Sequence, residues 1–127
     1  FLADPVTSLS ITSGGQSYLA STLDSTHRLM DMSDGSLLQS FQGHTNKSYR
    51  CHSVLAQNEA AVLSGDEEGN ICAWDMLNGQ QVSVAGSSSG KAQHQKSVLG
   101  VEESLVQGDH DVLSAGADGV LKIWSTS

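Results

Sequence analysis

Short runs of alternating apolar and polar residues, separated by turns containing Gly, Ser or Asp, recur along the 127-residue chain. Three stretches align with one another: LASTLDSTHRLMD at 19–31, VLSGDEEGNICAWD at 62–75 and VLSAGADGVLKIWS at 112–125. The offset is about 44 residues and then 50. In each copy an apolar run ends in small residues, an acid follows at Asp24, Glu68 or Asp118, and a second run alternates with the period of a strand. Glu68-Gly69 and Asp118-Gly119 supply residues that tolerate the left-handed backbone of a tight turn, and Asp24-Ser25 does so less readily. Each copy therefore reads as a β-hairpin.

Strand patterns flank these hairpins. Upstream lie residues 6–11, 49–55 and 97–101, and downstream lie 37–41 and 81–84. The unit is thus four short antiparallel strands in about 44 residues, a period expected of propeller blades, whose faces are buried only by stacking on neighbours. The boundaries that follow are a blade over 4–43, a second over 44–85, a Gly- and Ser-rich connection over 86–93, and a third blade over 94–127 that lacks its fourth strand. The expected class is all-β, a partial propeller.

Composition agrees with this reading. Thirteen Gly against 16% charged residues favour turns between strands over surface helices, which need Glu, Lys and Arg. A net charge of −8 argues against direct nucleic-acid contact or an anionic membrane surface, since both need a basic footprint. No apolar run approaches the roughly 20 residues of a membrane span. Cys51 and Cys72 form no CxxC pair and are expected to be reduced, packed thiols of a cytoplasmic or nuclear protein. The chain starts at Phe1, as expected of a processed product or an excerpt. Three units are too few to close a ring of roughly four to eight blades, so the C-terminal portion of a longer propeller is expected, with self-association of two copies as the alternative.

Two further features resemble the WD-repeat family. Trp74-Asp75 closes the third strand of the second unit, and Gly43-His44 precedes its first strand. Thirty positions separate His44 from Trp74, and thirty again separate His94 from Trp124. The resemblance implies a ring of about seven blades and, in each blade, a buried hydrogen-bonded set that is tolerable only when complete. In the second blade that set would be His44, Ser64, Glu68 and Trp74. In the third it would be His94, Ser114, Asp118 and Trp124. The pattern also departs from the family: Glu68 stands for Asp, Gln93 replaces the Gly before His94, and Ser125 follows Trp124. In the first blade Met30 stands where Trp belongs and Ala20 where the hydroxyl belongs, so apolar packing is expected to hold it.

The same residue types could be mistaken for a Ser-His-acid triad. Their recurrence once per repeat and their expected burial point to structure instead, and no enzyme activity, metal or cofactor is expected. Asp66, Glu67 and Glu68 show no D-x-D-x-D-G spacing for a cation. What remains is a binding surface on the strand-connecting loops. Turns at 23–26, 66–68 and 117–119 are assigned to one rim, and 45–47 with 86–95 to the other, with Asp66, Glu67, Arg28 and Lys122 as candidate partner-binding residues. The resemblance implies a protein-interaction scaffold with protein partners, organising mitogen-activated protein kinase components. A structural subunit of the spliceosome, or an adaptor in another complex, is the alternative.

Overall fold

The computed structural model describes residues 4–82, 92–104 and 111–124, and contains only strands, turns and loops among them. Strands β1 (Val6–Ile11), β2 (Ser17–Thr22), β3 (Thr26–Asp31) and β4 (Leu37–Gln42) form the first antiparallel sheet in that order. β5 (Ser53–Ala56), β6 (Ala61–Gly65), β7 (Ile71–Asp75) and β8 (Gln81–Val82) form the second. β9 (Val98–Glu103), β10 (Val112–Gly116) and β11 (Leu121–Trp124) form the third. The connection placed at 86–93 lies outside the described residues up to 91, and Gln93 is buried.

The hairpins fall where the alternation places them. Tyr18 pairs with Met30, Val62 with Trp74, and Val112 with Trp124, so these six positions are equivalent. Two residues further in, Ala20 pairs with Arg28, Ser64 with Cys72, and Ser114 with Lys122. The left-handed turn residue is Gly69 (φ 89°) in the second hairpin and Gly119 (φ 80°) in the third, while Ser25 takes it in the first with φ 58°.

The sheets stack face to face. Leu19 and Phe41 of the first sheet meet Val62, Cys72 and Trp74 of the second. On the other side of the second sheet, Ala61, Leu63 and Ile71 meet Val98, Val101 and Val112 of the third. A strand alternates its side chains between faces, so β6 is buried throughout, and β7 up to Asp75, because both their faces are covered. The outer faces of the stack are open. Leu9 and Ile11 are more than 60% exposed on the first sheet, as are Leu121 and Ile123 on the third.

Four strands return the chain to the end from which it left the second. The loop 43–52 and the loop 92–97 therefore share a rim with the turns after β2, β6 and β10, and the sequence-based division of these segments between two rims is corrected. Main-chain bonds show the shared rim directly: Ser25 N–H donates to the Asn46 carbonyl (3.1 Å), Glu67 N–H to that of Thr45 (2.9 Å), and Ala117 N–H to that of Ser97 (2.8 Å).

Candidate functional site

In the third blade the four implied residues form one chain of hydrogen bonds. His94 Nδ1 lies 3.2 Å from each carboxylate oxygen of Asp118, and its Nε2 lies 2.7 Å from Ser114 Oγ. Trp124 Nε1–H donates to that same Oγ at 2.9 Å. With the Nδ1 proton on the Asp118 side, Nε2 accepts from the Ser114 hydroxyl, which in turn accepts from the indole, and every member is satisfied. Asp118 also accepts from the N–H groups of Gln95 and Val120. Although partial burial pushes its pKa up, the Gln95 N–H, the His94 ring and the Val120 N–H hold it below the usual carboxylate range. Ser114 is fully buried, so its hydroxyl is closed to a substrate.

The second blade has the same spacing and a different geometry. His44 makes no hydrogen bond through either ring nitrogen. Ser64 Oγ donates to the Gly65 carbonyl (2.7 Å), and Trp74 Nε1–H donates to the Gln42 carbonyl (2.8 Å). Glu68 is exposed and accepts from Thr45 Oγ1. The assignment of His44, Ser64, Glu68 and Trp74 to one network is therefore corrected. The acid's place is taken by Asp66, which accepts from Thr45 N–H (3.3 Å) as Asp118 accepts from Gln95 N–H. Asp66 also closes its own turn by accepting from the N–H groups of Glu68 and Asn70. Its shorter side chain, two positions earlier, reaches the turn interior and leaves Glu68 outside.

The first blade is not held by apolar packing alone. Fully buried Ser21 lies 2.6 Å from His27 Nδ1 and 2.6 Å from Ser53 Oγ of the second sheet. That bridge was invisible in the sequence because the hydroxyl stands one position after the Ala20 that the repeat alignment selects. The His27 ring stacks on His44 at 4.2 Å between centroids, and Trp74 meets both edge-on at 5.1 Å. Burial holds both imidazoles below their ordinary pKa, His27 well below it.

The four candidate rim residues all make contacts within the fold, and of them Asp66 is buried while Glu67, Arg28 and Lys122 are half-buried. Glu67 accepts from the N–H groups of Lys47 and Ser48, fixing the loop beside it. Arg28 donates to Asp24 and to Thr22 Oγ1, each at 2.8 Å. Burial pushes the Asp24 pKa up, but the hydrogen bonds from Arg28 and Thr22 outweigh it and hold the carboxyl below its usual value. Lys122 donates to the Gln93 carbonyl (2.6 Å), its nitrogen 5.6 Å from the Trp124 ring centroid. At the rim, a groove of about 470 Å³ is lined by Tyr49, Glu67, Lys96, Ser97, Leu99 and Ala117. Sequence reasoning missed Tyr49 by placing it in a strand, and it is 59% exposed in the loop before β5.

Cys51 and Cys72 are buried and free, with pKa values pushed up to about 12 by burial and then by nearby carboxylates. Among the described residues, no group of three or more His, Cys, Asp or Glu side chains is placed to hold a metal ion, and no helix is long and apolar enough to cross a membrane.

The family model for the WD domain, G-beta repeat, matches residues 35–75 and 86–125. That is more than half of the chain, which belongs to the WD40 repeat family. The first match runs from β4 of one sheet through β7 of the next, so a sequence repeat spans two blades. WD repeat domain-containing protein 83 of Danio rerio is 38% identical over 79 residues, covering 62% of this chain and 25% of that protein. THO complex subunit 6 of Arabidopsis thaliana is 27% identical over 121 residues, covering 94% of this chain and 31% of that protein. The chain thus spans about a quarter to a third of these relatives. Among solved structures, the computationally designed Ika8 protein matches with a TM-score of 0.71 and 27% identity over 94% of this chain and 33% of its own. The computationally designed Ika4 protein, at 24% identity, shares the fold with a TM-score of 0.73 over 96% of this chain and 66% of its own.

Proposed function

We propose that this chain is part of a non-catalytic protein-interaction scaffold whose partners bind at the rim carrying Tyr49, Lys96 and the β2–β3, β6–β7 and β10–β11 turns. The observation that carries this reading is the division of labour among polar groups. Those able to do chemistry hold the blades together, whereas the rim loops are tied from blade to blade by main-chain hydrogen bonds and keep exposed side chains. A rim fixed in this way binds with little ordering cost, which favours recognition by preformed loops. WD-repeat proteins act in general as interaction scaffolds, and this fold supplies the same rigid support.

The finer reading is that the scaffold organises mitogen-activated protein kinase components in the cytoplasm, nucleus or both, which rests on the resemblance of 4–84 to one member of the family. A second reading, a place among mRNA-processing proteins, is favoured by the relative named as a THO complex subunit. Purification of the natural full-length product, tagged at its own gene, tests both. Kinases of that cascade at near-stoichiometric amounts support the first, splicing or mRNA-export proteins support the second, and a product isolated without protein partners contradicts both.

A further inference from the structure

The seam between the first two blades contains a feature that the seam between the second and third lacks. His27 from β3 and His44 from the loop after β4 lie parallel within 3°, both buried. Three of their four nitrogens, His27 Nε2 and both of His44, have no hydrogen-bond partner. His94, at the corresponding place in the next seam, uses both nitrogens. A stack of two imidazoles in which only His27 Nδ1 is hydrogen-bonded, to Ser21, is tolerated while both rings are neutral. A proton on either ring places a charge in a buried seam against another ring that can also charge, and two cations at 4.2 Å repel more strongly there than in bulk water.

The geometry points to a pH-operated joint: proton uptake by the His27–His44 pair loosens the first seam at the rim and leaves the second closed. Asp24 in the β2–β3 turn and Asp66 in the β6–β7 turn face the pair and favour the protonated form. Asp24 acts on both rings and Asp66 on His44. Arg28 on β3 draws Asp24 into an ion pair. Cys72 on β7 packs in the same seam and Cys51 precedes β5, and both are thiols at these pH values. Asp66 gives a protonated His44 somewhere to go, because it already holds the neighbouring Thr45 N–H. Burial dominates in the closed state and depresses both pKa values. Between those depressed values and the ordinary value of 6.5, the open seam binds more protons than the closed one. Closure is therefore complete above about 6.5 and weakens as pH falls below it. The bonds that opening releases are Ser25 N–H to the Asn46 carbonyl and Asn46 N–H to Ser25 Oγ, both at the rim where partners are proposed to bind.

Amide hydrogen exchange on the full-length protein, at about pH 7.5 and about pH 5.5 with rates corrected for intrinsic pH dependence, reads the two seams separately. The expected result is that amides of 25–28 and 44–46 lose protection by roughly tenfold or more at the lower pH while those of 94–98 and 114–117 keep theirs. His27→Phe, which keeps a ring in the stack, and His44→Gln, which removes one titrating group, are each expected to shrink that difference. Equal loss in both seams, no loss in the first, or an unchanged response in both variants would overturn the joint.

Discussion

The indole N–H of Trp124 donates to the buried hydroxyl of Ser114 at 2.9 Å. The equivalent indole of Trp74 instead finds the Gln42 carbonyl, on the last strand of the preceding blade, at 2.8 Å. Identical residue types at identical spacing thus tie the third blade to itself and the second blade to its neighbour.

The first prediction separates these two arrangements. A double-mutant cycle of Ser114→Ala with Trp124→Phe is expected to show coupling of about 1 kcal/mol or more, because the pair shares one hydrogen bond. Ser64→Ala with Trp74→Phe is expected to be additive within about 0.5 kcal/mol. Denaturant unfolding of the four single and two double variants measures both.

Asp66 and Glu68 are predicted to differ sharply. Asp66→Asn keeps one oxygen for the Glu68 and Asn70 N–H groups but sets an NH2 against the Thr45 N–H in place of the second, buried acceptor, and is expected to cost about 1–3 kcal/mol. Glu68→Gln alters an exposed group and is expected to stay within about 0.5 kcal/mol. Thermal melts suffice to rank them.

How much of this was legible beforehand depends on range. The hairpin positions follow from alternation and turn residues a few positions apart, and the structure places them as read. The third-blade set is legible because each member also matches a repeat position. The second-blade set misleads because spacing says nothing about which of three consecutive acids turns inward, and Asp66 does so. The pairing of Ser21 with Ser53, and of His27 with His44, joins residues 32 and 17 positions apart across a seam, where no local pattern operates. The rim assignment failed for a simpler reason: strand parity was available from the count of strands in the first blade.

Close packing of the second seam is tested at Gly65. A Cβ there would collide with the Val98 backbone carbonyl and side chain, so Gly65→Ala is expected to destabilise by about 1–3 kcal/mol. Gly14→Ala, where a Cβ would meet nothing within 4 Å, serves as the comparison and is expected to be near neutral. Equal effects of the two would contradict the described seam.

Cys51 and Cys72 are predicted to be unreactive in the folded chain. Thiol pKa values pushed up to about 12 leave almost no thiolate at neutral pH, and both residues are buried. Labelling with a maleimide at about pH 7 is expected to be slow until denaturant is added, when both thiols react at ordinary rates.

In the proposed scaffold, partners are held by the rim loops while the sheets serve as rigid support. The most direct measurement is a hydrogen-exchange footprint of the full-length protein alone and with the partner that copurifies with it. The expected result is protection concentrated at 45–50, 95–97 and 117–119, with the strands of the second blade unchanged. Protection confined to the outer sheet faces around Leu9 or Ile123, with none at the rim, would contradict it.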